Sequence, residues 1–346
     1  MPDFESENRL RRIAGCQDLE QLKSIRIAEQ QKLEEELHSS DSPLLVNRLN
    51  KLHDGIISKA VHLAENDLAR KGHGAPPVPY AYLLFGSGGR SEQTMHSDQD
   101  SGLVYADSLD AGTAERSRTY FTQFSEAVVD SLLFLGYPLC EGKVLSSNAD
   151  WRMTLDEWRN KLDGWFADPS WESVRYLLIT ADARAVTGDT GLAAQLQEHF
   201  YNELANHPSI AGRMLENTLR HKVLVGFFGQ LLPERYGSDA GTVDIKYGAY
   251  IPMVNAFRLL AVREGIRATG TLERIEKLQQ ARALSSEEAE EARQAFAFVL
   301  KMRLIGKIIP AQLGRELTVS LKESLKAGRK IQSKLQGEMK HRFGGR

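Results

Sequence analysis

Gly86-Ser87-Gly88-Gly89-Arg90, followed by Ser97-Asp98-Gln99-Asp100, is the stretch on which the reading of this chain turns. The apolar run Ala81-Tyr82-Leu83-Leu84-Phe85 leads into it, and Gly102-Leu103-Val104-Tyr105 leads out. The pattern predicts a strand, a tight glycine turn, a short helix beginning near Arg90, and a second strand that starts with two carboxylates. Side chains in a strand alternate faces, so Asp98 and Asp100 would point the same way, roughly 6–7 Å apart along the backbone. Gly86, Gly88 and Gly89 can take positive φ and let backbone N–H groups approach an anion closely. A helix starting just after them would aim its positive end at the same place, and Ser87 adds a hydroxyl.

Two carboxylates held this close raise one another's pKa unless a cation lies between them. Mg²⁺ takes oxygen ligands and is usually held by one or two carboxylates together with substrate phosphates. Two such ions, about 4 Å apart, serve in-line displacement at phosphorus. An acidic pair of this spacing also fits a solvated strand end; the glycine turn just upstream favours the cation. Two other phosphate-binding patterns fail. A P-loop needs G-x-x-x-x-G-K-[ST], and no Lys follows these glycines at that spacing. A dinucleotide fingerprint counted from Gly86 would need glycine where Ser91 stands.

The run G-S-x-G-R-x-E, here Gly86 to Glu92, followed by S-D-x-D, here Ser97 to Asp100, resembles the nucleotidyltransferase core of the DNA polymerase β superfamily. More narrowly it is similar to the PII-uridylyltransferase-like branch. The resemblance implies that Gly86, Ser87, Gly88 and Gly89 bed a nucleoside triphosphate, and that Asp98 and Asp100 hold Mg²⁺ and are catalytic. Arg90 and Glu92 match the motif's other fixed positions and are carried over as nucleotide-binding. Tyr176 to Arg184 with Gly188-Asp189 resembles the helical segment after the core. Asp244-Ile-Lys246-Tyr-Gly248, Asn255 to Ala261 and Thr271 to Arg274 resemble the helical substrate-binding domain of that branch. Over residues 10–310 the layout resembles nucleotidyltransferases that often follow paired CBS domains or a cyclic-nucleotide-binding domain in bacterial signalling proteins. No such sensor is expected within this sequence, so regulation would fall to a separate sensor protein or to the N-terminal helices.

Composition sets the outer bounds. A chain of 346 residues allows two or three domains. With 26% charged and 42% hydrophobic residues it reads as globular, and a net charge of −2 gives no basis for bulk nucleic-acid binding. Cys16 and Cys140 are too few for a disulfide framework or a structural zinc site, and read as free thiols in a reducing compartment. The start, Met1-Pro-Asp-Phe-Glu-Ser-Glu, is acidic where a signal peptide would be basic and then apolar. The best apolar run, Val223 to Leu232, is about half a membrane span. No membrane association and a cytoplasmic location are expected.

The expected fold is α+β and mostly helical. A small mixed-sheet core with helices on one side lies between N-terminal helices and a C-terminal helical domain. Punctuation and period divide the chain into residues 1–75, helical; 76–150, the core; and 151–346, helical and substrate-binding. In the first part Leu19, Leu22, Ile25 and Ile27, then Leu45 through Ile57, recur near helical spacing, and Ser42-Pro43 marks a helix start. Lys71 to Pro79 reads as a linker or an ordered crossing into the first strand. In the core, a helix over residues 114–135 carries Phe121, Phe124, Val128, Leu132 and Leu135 on one stripe and ends at Gly136. Tyr137 to Leu145 reads as the third strand. From Trp151 onward the pattern is almost wholly helical, with a capping box at Ser285 and Glu288.

Polymerase-β-like enzymes usually carry a third carboxylate on the next core strand. Glu141 is the best-placed residue, as ligand or as base for the attacking hydroxyl; Asp182 is the other, unless it pairs with Arg184 as a brace. Lys246 reaches a triphosphate as a point charge or else pairs with Asp244. Arg220-His221-Lys222 lines the same cleft or a solvated helix face, and His96 touches phosphate or caps a turn. The Lys/Arg-rich tail from Lys322 to Arg346 reads as a frayed, solvated helix or a contact for nucleic acid or acidic partners. The expected reaction is Mg²⁺-dependent transfer of a nucleoside monophosphate from a triphosphate to a hydroxyl acceptor, of uridylyl or adenylyl type. A catalytically inactive nucleotide-binding regulatory module and a metal-dependent glycosyltransferase are the alternatives.

Overall fold

The computed structural model describes residues 4–37, 42–218, 242–306, 308–309 and 313–343. The run Val223 to Leu232 and the trio Arg220-His221-Lys222 lie outside the described residues. In chain order the elements are α1 Phe4–Gly15, α2 Leu19–Glu36, α3 Ser42–Arg70, β1 Tyr80–Leu84, the single turn α4 Gly86–Gly89, β2 Ser101–Tyr105 and α5 Ala111–Phe134. They continue with a 3₁₀ turn Ala149–Trp151, β3 Arg152–Thr154, α6 Leu155–Ala167, α7 Trp171–Thr180, β4 Arg184–Gly188, α8 Thr190–Asn206 and α9 Ile210–Thr218. A π-helical turn Lys246–Tyr250 then precedes α10 Ile251–Arg263, α11 Thr271–Gln280, α12 Ser286–Ile305 and α13 Arg315–Phe343. The fold is therefore α+β and mostly helical, with one small mixed sheet. None of the described helices is long and apolar enough to cross a membrane.

The chain forms two compact units. The first gathers Met1–Ser40, Leu44–Gly164 and Asp182–Asn202; the second gathers Asp41–Pro43, Trp165–Ala181 and Glu203–Arg346.

The sheet of the first unit runs β3-β2-β1-β4. β1 is antiparallel to β2 and to β4, while β2 and β3 are parallel. All five residues of β1 and of β2 are buried. Both faces of these strands are thus covered, not one, which is why the two runs read as continuously apolar and not alternating. Tyr80 and Tyr105, partners across the strands, pack on Phe121 of α5, and Tyr80 also meets Phe124. From the opposite parity, Phe85 packs on Trp151 and on Trp158 of α6, whose Nε1 donates to the Leu103 carbonyl at 3.0 Å. The stripe expected on α5 is buried, and Gly136 ends the helix with φ +92°.

Three expectations change. Tyr137 to Leu145 is not a strand: Pro138 has no N–H to donate, and the segment turns at Glu141-Gly142. It nevertheless runs beside the acidic pair, with Gln99 N on the Pro138 carbonyl at 2.8 Å and Ser101 N on that of Val144 at 3.1 Å. The remaining two strands instead come from Arg152–Thr154 and Arg184–Gly188, both within the stretch read as helical. β4 is a half-exposed edge strand, so no apolar run advertises it. On α2, Ile27 is exposed and Arg26 holds the buried place, stacking 4.2 Å from the Tyr137 ring and donating to the Leu135 carbonyl.

The second unit is helical. Residues Pro252 to Val262 of α10 are all buried, the polar Asn255 and Arg258 included. The capping box at the start of α12 is present, with Ser285 N on Glu288 Oε2 at 2.8 Å and Glu288 N on Ser285 Oγ at 3.2 Å.

Candidate active site

The glycines themselves are the helical turn. α4 spans Gly86–Gly89 and Arg90 already caps its C-terminus, so no helix begins at Arg90. Gly86 alone takes the left-handed region, with φ +52°; Gly88 and Gly89 are helical. Their requirements differ. A Cβ at Gly86 would collide with Asp100 Oδ2, so the missing side chain lets that carboxylate lie against the turn. A Cβ at Gly89 would run into the Asp182 carbonyl oxygen and stand 2.8 Å from that of Leu84. Glycine at 89 thus permits close backbone packing and not an unusual φ.

Asp98 and Asp100 precede β2 in an extended segment outside the strand proper. Parity still holds. Met95, Ser97, Gln99 and Ser101 are buried, His96 is exposed, and Asp98 and Asp100 are half-buried. Gln99 pins the alternation: its Nε2 donates to the Val129 and Tyr137 carbonyls at 3.2 and 3.0 Å, and its N to Pro138. With Gln99 fastened inward, both neighbours turn outward. The turn before them is closed by Ser97, whose Oγ accepts from Thr94 N at 2.9 Å, and not by His96.

The carboxylates of Asp98 and Asp100 converge, and the third group of their cluster is Cys140. Ligand atoms of the three lie within 4.8 Å of one another. Burial, then the charge of Asp100 and a hydrogen bond to it, push the Cys140 thiol up to about 12. It is therefore a neutral S–H beside a carboxylate at physiological pH. Glu141 follows on an exposed turn and is not part of this cluster. Two carboxylate oxygens suit a hard cation such as Mg²⁺, while a protonated thiol does not ligate one. The fit to Mg²⁺ therefore rests on the two acids.

Arg90 and Glu92 lie on the inner side of the turn. Arg90 Nε donates to Glu92 at 2.8 Å and Nη1 to Asp182 at 2.5 Å, with all three side chains at most 4% exposed. Asp182 thus braces the turn through Arg90 and not through Arg184. Arg184 instead makes a two-pronged bond to Asp54 of α3 at 2.9 and 2.8 Å and reaches the Gly88 carbonyl at 2.8 Å.

α3 contributes more than the sequence suggested. Asn50 Oδ1 accepts from Gln93 N at 2.8 Å, and its Nδ2 reaches the Gln93 carbonyl at 3.3 Å. His53, fully buried, bridges the Tyr137 hydroxyl at 2.8 Å and the Thr94 carbonyl at 3.1 Å. A carbonyl only accepts, so Nε2 carries the hydrogen and Nδ1 accepts from Tyr137. Burial, with Arg26 nearby, drops its pKa to about 3. The signal available in the sequence was only an Asn and a His on the inner face of an amphipathic helix.

In the second unit, Lys246 is exposed at the start of the π-helical turn, its Nζ 5.4 Å from the Tyr247 ring centre. Asp244 accepts from Tyr247 N at 2.9 Å, capping that turn.

No curated protein matches the chain. Residues 29–172 match the family model described as "Putative nucleotidyltransferase DUF294", and residues 208–339 the one described as "Putative nucleotidyltransferase substrate binding domain". The glycine turn and both aspartates fall in the first match and Lys246 in the second, and together the two matches place this chain in a nucleotidyltransferase-like family.

Proposed function

We propose that this protein transfers a nucleoside monophosphate, uridylyl or adenylyl, from a triphosphate to a hydroxyl acceptor in a Mg²⁺-dependent reaction. The observation that carries the reading is the convergence of Asp98 and Asp100 against the Gly86 turn. Asp98 and Asp100 would hold the cation, which supplies charge neutralisation to the triphosphate. The Gly86-Ser87 backbone beds the phosphates, with Gly88 and Gly89 giving the turn its close packing. Arg90 and Glu92 act on the nucleotide through the shape of that turn. The acceptor oxygen bonds to the α-phosphorus, the bond to the β-phosphate oxygen breaks, and pyrophosphate leaves. Glu141 is the proposed acceptor of the hydroxyl proton, and Lys246 a proposed contact to the nucleotide. The acceptor is a protein tyrosine, a small alcohol or an RNA end. We place the activity in bacterial regulation in the cytoplasm, answering to a separate sensor protein.

The test is incubation with each of four α-³²P triphosphates, Mg²⁺ and cell extract. A labelled acceptor that appears with wild type and not with Asp98→Asn/Asp100→Asn supports transfer. Equal labelling by both would overturn it. A second reading, a nucleotide-binding module without turnover, is favoured by one observation: the third group of the cluster is a thiol and not a carboxylate. Tight Mg²⁺-dependent nucleotide binding without pyrophosphate release across all acceptors would select it.

A further inference from the structure

We propose that Cys140, Asp98 and Asp100 form a three-ligand site for a thiophilic divalent cation of the Zn²⁺ and Cd²⁺ class, competing with Mg²⁺ for the same place. The inference rests on the reading that the aspartate pair holds a divalent cation, and adds a metal that would block that pair. The three ligand atoms already lie within 4.8 Å of one another. Bond lengths of about 2.3 Å for Zn–S and 2.0–2.2 Å for Zn–O are reached from there by small side-chain rotations. Mg²⁺ loses its water reluctantly and ignores sulfur, so it uses the two carboxylates alone. Zn²⁺ gains a ligand that Mg²⁺ cannot use, which tilts the site towards the softer ion. Three protein ligands leave a fourth position open, the arrangement of an accessible zinc site.

A second observation comes from behind the pair. A cavity of about 10 Å³ is lined by Gln93, Asp98, Gln99, Asp100 and Ser101 among others. Gln93 and Gln99 are 3% and 4% exposed, and the Oε1 of each is buried without a hydrogen-bond partner. The orientation of Gln99 is fixed, because its Nε2 serves two carbonyls. A water of the size this cavity admits would donate to both oxygens and stand behind the ligands of a cation held in the pair. When the thiophilic ion binds, the sulfur–metal bond forms as the Cys140 S–H bond breaks and its proton passes to solvent. No atom changes oxidation state.

The test uses the full chain, free of metal and nucleotide, titrated with Cd²⁺ while the thiolate-to-cadmium charge-transfer band in the ultraviolet is followed. Cys16, 3% exposed, is the other cysteine of the chain and supplies the control. Wild type and Cys16→Ser should both develop the band with one equivalent of Cd²⁺. Cys140→Ser should lose it. Asp98→Asn/Asp100→Asn should need more Cd²⁺ to reach it, and excess Mg²⁺ should reduce it in wild type. A band that survives in Cys140→Ser, disappears in Cys16→Ser, or ignores both the aspartate substitutions and Mg²⁺ overturns the proposal. Should Cys140→Ser fail to fold by circular dichroism, ¹¹³Cd chemical shifts of the wild type decide between mixed sulfur–oxygen ligation and oxygen alone. No nucleotide enters the measurement, so its failure leaves nucleotidyl transfer standing, and absent turnover leaves the metal site standing.

Discussion

Two pairs of acids lie around one glycine turn, and they differ in what balances them. Asp98 and Asp100 are half-buried, turned outward and converge on each other with a neutral thiol beside them. Glu92 and Asp182 are buried and close on a single guanidinium, that of Arg90. The first pair brings two carboxylates together on the outer side of the turn, where a ligand can reach them. The second is answered within the fold. A motif in which arginine, glutamate and aspartates are all fixed thus divides into residues that meet a ligand and residues that hold the turn in shape. The spacing in sequence does not separate the two groups; burial does.

The sharpest break of this comparison is to neutralise the outward pair. Asp98→Asn/Asp100→Asn should bring Mg²⁺-dependent pyrophosphate release to background while the thermal midpoint shifts little, because both side chains are half-buried and turned outward and the amide is isosteric. Parallel loss of release and of the melting transition would contradict the division. Next comes the inward group. Arg90→Met leaves two buried carboxylates without their cation and should destabilise the protein by about 3–5 kcal/mol in urea unfolding. Arg90→Lys should rescue little of this, since one ammonium cannot present the Nε–Nη1 fork that serves two acids.

A third prediction concerns the support of the turn. His53 titrates near 3 in the folded protein against an ordinary value of 6.5. Below about pH 6.5 the unfolded chain takes up a proton that the folded chain refuses, so stability is fully present above that pH and declines as pH falls towards 3. The loss is on the order of a few kcal/mol. Urea midpoints measured from neutral pH downward should show a shallower decline in His53→Gln than in wild type; identical slopes would mean that His53 is not the group involved. The smallest effect is expected at Gly86. Gly86→Ala forces a Cβ into a left-handed φ at about 1–2 kcal/mol and against Asp100. Isothermal titration with Mn²⁺ should show weaker binding, with the urea midpoint only modestly lowered.

Much of this was readable from the chain. The strand–glycines–acids–strand order, the long helix after β2 and its end at Gly136 follow from apolar period and punctuation. The outward parity of residues 96, 98 and 100 was readable too, although the strand itself starts only at Ser101. What escaped reading was tertiary. β4 has neither length nor an apolar run to announce it, and becomes a strand because β1 offers an open edge. Residues 137–145 looked like a strand, but Pro138 and Gly142 let them bond to the acidic segment without forming one. The burial of Arg90 depends on Asp182, distant in sequence, and no local pattern encodes that meeting. Cys140 stood next to the residue favoured from sequence, and only the turn decided which of the two faces the acids.

The inner face of α3 acts as a mould. Asn50, His53 and Asp54 set the positions of Gln93, Thr94 and, through Arg184, Gly88, while Ile57 lines the cavity behind the acids. The connecting segment from Arg90 to Asp100 has little regular structure of its own and takes its course from this imprint. Mutational scans of the protein should therefore score these helix positions alongside the motif itself, though none of them belongs to it. Grafting the glycine–aspartate motif alone into another sheet would transplant the letters without the cast that gives them their form.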